Sequence, residues 1–257
     1  MMTAIALASC ATADTIVPAG NIVGYTKVNL ASGYTMIGMS FEGCGVGESV
    51  PINALVGNFF GDAENGFFDR LMIWDPTEGY RYYFFVDGTD EPTLDKKWFW
   101  DDIRSDGEPI KDSHIIAAGE ATWYVRFSLS SATAVTVPGQ VRTTDFTIPI
   151  GTAYTMVGNP FPVDIAINNL QGDFYGDAEN GFFDRLMIWD FVEGYRYYFF
   201  VDGTDVPELD KKWFWDDIRS DGEPISDSHI IAPGEAFWFV RYGSHTKSLT
   251  VPAPVID

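Results

Sequence analysis

Short stretches rich in β-branched and aromatic residues recur along the chain, and clusters of glycine, proline, asparagine and aspartate cut them apart. Their dominant period is two, the alternation of a strand. No uninterrupted stretch keeps the helical period for more than two turns. The pattern predicts strands over 22–30, 35–40, 70–74, 80–86, 97–100, 121–127 and 134–137. A second series follows over 141–148, 155–158, 185–189, 195–201, 212–215, 236–241 and 248–251. The only helical candidates are one or two turns at 52–56 and 164–170, the latter with Asp164 placed to cap it. Asp75 to Gly79 and Asp190 to Gly194 read as tight turns between strands. Pro233-Gly234 suits the two central positions of a type II turn, where copy one has Ala118-Gly119.

The two series are one series written twice. Shifting the chain by 115 positions (176 minus 61) lays residues 61–126 on 176–241 with differences only at 76, 77, 91, 93, 111, 118, 122 and 124. A unit of that length is a small domain rather than a solenoid repeat. Seven short strands per copy predict an all-β fold of two tandem homologous β-sandwich domains, Ig-like or jelly-roll-like. The expected boundaries are a leader remnant at 1–13, a first sandwich at 14–137 and a second at 138–257.

Some strands are apolar on both faces. Tyr80, Tyr82, Phe84 and Val86 share one face, and Tyr83 and Phe85 the other; Trp98 and Trp100 lie opposite Phe99. Such strands are covered on both sides or offer aromatic surface to a partner. Valine-proline pairs stand at 17–18, 137–138 and 251–252: before copy one, between the copies and after copy two. This suggests that terminal strands of successive molecules meet as the copies meet. Val17, Pro18, Val251, Pro252 and Val255 would carry that contact, and a head-to-tail contact builds a filament.

Charge narrows the partners. There are 37 acidic and 16 basic residues among 257, a net of −21, which disfavours nucleic acid and anionic membrane surfaces. Ile5–Ala8 and Ala11-Thr12-Ala13 read as an export leader cleaved before Asp14, with lipidation at Cys10 as the alternative. No other run is long enough to span a membrane. Once the leader is gone, Cys44 is the lone cysteine. It is a small buried hydrophobe or an intersubunit thiol.

The search for chemistry finds little. No G-x-S-x-G, clustered zinc ligands, haem motif or phosphate loop is present. Asp112-Ser113-His114 and Asp227-Ser228-His229 hold triad residue types, but neighbours on an extended chain point to opposite faces. Acidic loops nominate calcium, with Asp62, Glu64 and Asp69 in copy one and Asp177, Glu179 and Asp184 in copy two. The EF-hand spacing is absent, so the expected cofactor is none, with Ca²⁺ as a candidate. Carbohydrate is the alternative partner, stacked on Tyr83, Trp98, Trp100, Tyr198, Trp213 and Trp215.

The stretch from Tyr154 through Gly158-Asn159-Pro160-Phe161-Pro162, with Leu186–Asp190 and Ile231–Phe239, resembles a β-rich repeat found in secreted and surface proteins of Verrucomicrobia and Bacteroidetes. That resemblance implies export and a β fold and no activity. Copy one departs from it at Met39-Ser40-Phe41, where Asn-Pro is missing. The sequence thus leads to the expectation of an exported, non-catalytic structural protein, a self-associating subunit of an extracellular filament or cell-surface assembly, with carbohydrate binding as the alternative.

Overall fold

Strands apolar on both faces need two covers, and the architecture supplies them. The computed structural model describes residues 23–43, 50–90, 95–100, 115–117, 119–177, 179–204, 207, 210–215, 225–226 and 229–254. The leader, Val17, Pro18, Cys44, Val255, the acidic stretches at 101–108 and 216–223, and Asp112 to His114 lie outside the described residues.

Seven longer strands form in each copy. The first set is β1 (Val23–Asn29), β2 (Tyr34–Gly38), β3 (Arg70–Asp75), β4 (Gly79–Val86), β5 (Lys97–Trp100), β6 (Ala121–Val125) and β7 (Ala134–Gln140). The second is β8 (Phe146–Pro149), β9 (Tyr154–Gly158), β10 (Arg185–Asp190), β11 (Gly194–Val201), β12 (Lys212–Trp215), β13 (Ala236–Val240) and β14 (Ser248–Val251). The fold is all-β.

In copy one the larger sheet runs β2-β6-β3-β4-β5, every pair antiparallel. In copy two it runs β9-β13-β10-β11-β12 and gains Ile225–Ser226 at its edge. A three-stranded sheet covers the inner face of each. It is β1-β7 with Val56–Gly57 in one copy and β8-β14 with Gln171–Gly172 in the other.

The space between the sheets is filled from the alternate positions of each strand, as the pleat requires. Ile37, Leu71, Ile73, Tyr83, Phe85, Trp98 and Tyr124 meet Val135 and Val137 across the first sandwich. Val157, Leu186, Ile188, Tyr198, Phe200, Trp213 and Phe239 meet Leu249 and Val251 across the second. Each core is drawn from its own copy.

The expected helical turns are single 3-10 turns, Ile52–Ala54 and Ile167–Asn169, and Asp164 caps neither. The residue before the second is Ala166, which makes no side-chain cap bond. Tertiary contacts hold these turns instead. Ile52 and Ile167 are fully buried, and the Asn53 and Asn168 Oδ1 atoms accept the Trp98 and Trp213 backbone N–H at 2.7 and 2.8 Å.

Of the residues expected to carry the filament contact, Val251 is engaged at home, while Val17, Pro18 and Val255 lie outside the described residues. Val137 pairs with Thr26 and Val251 with Phe146, each inside its own copy. Val251 is buried in its own core, because a three-stranded cover closes each sandwich only with its last strand in place. Pro252 follows directly, and the next residue, Ala253, donates its N–H to Asp145 Oδ1 at 2.8 Å.

The aromatic seam between the two copies

The residues nominated from sequence are mostly occupied. Tyr83, Trp98, Tyr198 and Trp213 are 1–2% exposed and lie in the sandwich cores. Trp98 meets the rings of Phe59, Phe85 and Tyr124 at 4.9–6.4 Å, and Trp213 meets Phe174, Phe200 and Phe239 at 5.1–6.2 Å. They offer no platform to a sugar. Trp100 and Trp215 are half-buried, each with a guanidinium (Arg81 or Arg196) 5.8 Å above its ring.

The nominated aspartates are likewise satisfied from within. Asp69 is fully buried. Its carboxylate accepts the backbone N–H of Phe60 and Phe127 at 2.8 Å, Ser130 Oγ at 2.7 Å and the Tyr124 hydroxyl. Burial, then the hydrogen bond to Asp69, pushes the Tyr124 phenol above its ordinary value. Asp184 holds the matching loop through Tyr175 N–H, Tyr242 N–H and the Thr246 hydroxyl. Asp62 and Asp177 accept the side-chain and backbone N–H groups of Asn65 and Asn180, which hold both carboxyls below the usual range. Glu64 and Glu179 are exposed. Among the described residues no group of three or more His, Cys, Asp or Glu side chains is arranged to hold a metal ion. His229 lies 3.3 Å from the Tyr198 hydroxyl and 3.5 Å from Glu235.

The outer faces of the two large sheets meet each other. Met36, Ala121, Trp123, Met156, Ala236 and Trp238 form a buried cluster, flanked by Trp74, Tyr80, Trp189 and Tyr195. Farther along, Phe68 and Phe183 cover the Phe84–Phe99 and Phe199–Phe214 ends, which accounts for strands apolar on both faces.

The seam is reciprocal. Trp74 meets Trp238 at 5.5 Å and 84°, and Trp123 meets Trp189 at 5.5 Å and 82°. Gly38 N–H donates to Gly234 O at 2.8 Å, and Gly158 N–H donates to Gly119 O at 2.8 Å. Since 38 corresponds to 158 and 119 to 234, these paired contacts describe a pseudo-two-fold axis between the copies. Edge-to-face aromatic pairs of this kind contribute about 0.5–1.5 kcal/mol each beyond burial.

Only glycine fits at the axis. A Cβ on Gly158 would stand 2.6 Å from Gly38 Cα and 2.8 Å from Glu120 O, and one on Gly38 would stand 2.8 Å from Gly158 Cα. Both obstacles are backbone, so neither can swing aside.

The place where copy one departs from the Asn-Pro pattern serves this seam. Asn159 Nδ2 donates to Val163 O and Ile231 O at 2.8 and 3.0 Å, folding its own loop. In copy one Ser40 Oγ instead accepts Gly234 N–H across the seam at 2.8 Å, and Glu42 pairs with Arg142 of the linker. The indole N–H groups of Trp74 and Trp189 are buried and find no hydrogen-bond partner among the described residues.

At one end of the seam a groove of about 310 Å³ opens, lined by Trp74, Pro76, Glu120, Pro149, Tyr154 and Met156 among others. It lies at the small end of the ~300–1,000 Å³ range of ligand pockets. Burial raises the Glu120 carboxyl above its ordinary value, against a hydrogen bond from Ala117 N–H. No motif marked the seam in the sequence; its only signal was the demand of two-faced strands for a second cover.

Comparison with family models, curated proteins and solved structures finds no match. Among the described residues no helix is long and apolar enough to cross a membrane.

Proposed function

We propose that this chain is an exported, non-catalytic structural protein that self-associates into an extracellular filament or surface assembly. The observation that carries the reading is the seam. Among the described residues, the outward-facing aromatic side chains of the two large sheets join the two copies into one block. A block locked at its centre by backbone contact between Gly38 and Gly158 suits bearing load and repeating contacts. The resemblance to secreted β-rich repeats points the same way. The strand ending at Val251 is not part of the proposed contact, because it pairs at home.

The charge of −21 sets the condition for the test. Like-charged copies repel at low ionic strength, and added salt screens them over a Debye length of about 10 Å at 0.1 M. Sedimentation velocity and electron microscopy of the secreted form, across concentration and from low to high salt, should show growing species. A monomer mass throughout would defeat the reading.

A further inference from the structure

Within the near-identical block, the β3–β4 and β10–β11 hairpins differ only at their tips. Copy one has Pro76-Thr77 and copy two has Phe191-Val192. The turns are otherwise alike. Asp75 Oδ1 accepts Thr77 and Glu78 N–H at 2.8 and 3.1 Å, and Asp190 Oδ1 accepts Val192 and Glu193 N–H at the same distances. Turn geometry therefore does not ask for phenylalanine or valine. Yet Phe191 and Val192 are 73% and 76% exposed, side by side on a turn braced by Arg196, which pairs with both Asp190 and Glu193.

An apolar knob on a rigid turn calls for an apolar hole. The groove at Trp74, Pro76, Pro149, Tyr154 and Met156 is one, and it is continuous with the seam. Pro76 at its rim is the pseudo-two-fold counterpart of Phe191, so the hairpin tip that carries the knob in copy two borders the hole in copy one. We propose that the Phe191-Val192 tip of one molecule docks into the Pro76–Tyr154 groove of a second copy of this chain. The contact is heterologous, because the knob is the copy-two hairpin tip and the hole is a different surface, where Trp74 and Pro76 of copy one meet Pro149, Tyr154 and Met156 of copy two. Such a contact leaves a free knob and a free hole at the ends of any row, so it propagates. This rests on the self-association reading and names the surface that would carry it.

The test uses the full chain and two variants. F191P/V192T gives copy two the turn that copy one already folds, and Pro76→Glu places a charge on an exposed rim position beside Glu120. Sedimentation velocity at high salt should show the unmodified protein associating, and each variant alone associating at least tenfold more weakly with unchanged circular dichroism. Mixed together, the variants should form dimers and nothing longer, since one keeps only a hole and the other only a knob. If the unmodified protein associates and both variants match it, the knob-and-hole contact is wrong while self-association stands. If tip-dependent binding appears only toward lipid vesicles, the occupant is wrong. If the unmodified protein stays monomeric, both readings fall.

Discussion

The buried carboxylates Asp69 and Asp184 close the same loop in the two halves with different partners. In the first half a tyrosine reaches across the core to help, and Tyr124 and Ser130 both donate to Asp69. In the second that position is Phe239, and the single proton of the Thr246 hydroxyl is shared between Asp184 and Asp173 O. Its hydroxyl reaches Asp173 O at 2.9 Å. The two halves thus keep the buried acceptor and its two backbone N–H donors while exchanging the hydroxyls. What must be preserved is satisfaction of the carboxylate and of the loop amides, not any one donor. The same contrast recurs at the seam, where Asn159 folds its own loop and Ser40 reaches across to Gly234.

Substitutions can break this comparison at graded depths. Asp69→Ala and Asp184→Ala should each cost about 3–5 kcal/mol, since buried donors are left without an acceptor. Chemical denaturation should find the two losses equal to within about 1 kcal/mol; a large inequality would mean that the loops are not equivalent. Ser40→Ala leaves the buried Gly234 N–H unpartnered and should cost about 1–3 kcal/mol, whereas Tyr124→Phe, which copies the second half, should cost about 1 kcal/mol. The smallest effect concerns Glu120, whose carboxyl is raised above 4.5 by burial. The folded state then holds its proton longer than the unfolded state, so this group's contribution falls as pH rises from 4.5 through the raised value. Glu120→Gln should therefore stabilise at pH 7, by less than about 1 kcal/mol for a half-buried group, and the gain should vanish near pH 4. A denaturation series over pH reads both ends. Asp75 and Asp190 run oppositely. Backbone N–H donors at residues 77–78 and 192–193 hold them low, so their support is present above 3.8 and fades as pH falls through their depressed values.

Much of the fold was legible in the sequence. Period-two alternation located the fourteen longer strands, most with small shifts at their ends; the stretch 97–100 matches β5, 70–74 falls one residue short of β3, and the largest error is the five-residue late start of β8. The Gly119 and Gly234 turns have the left-handed φ that their position predicts, at 72° and 78°, and each closes with an i to i+3 backbone bond. The seam was not legible, for a physical reason. Alternation tells which residues share a face, not what lies over it. Trp98 and Phe99 point to opposite faces and are both 1% exposed, because one faces the sandwich core and the other the hairpin ending at Phe68. The strand expected over 141–148 begins at Phe146, while β7 runs on to Gln140 and pairs with β1. Arg142 within the shortened part turns to Glu42 and lies 4.7 Å over the Phe146 ring. An ion pair to copy one and a local cation–π contact take Arg142 out of the expected strand there.

The claim on which everything else depends is that the copies are one block joined at the Gly38–Gly158 crossing. Scanning calorimetry of the unmodified chain beside Gly158→Val tests it directly. The unmodified protein should unfold in one cooperative transition, and the variant, whose added carbons collide with the Gly38 and Glu120 backbone, should lose roughly 3 kcal/mol and resolve into two. Two independent transitions in the unmodified protein, or a variant that melts as one unit at the same temperature, would contradict the account.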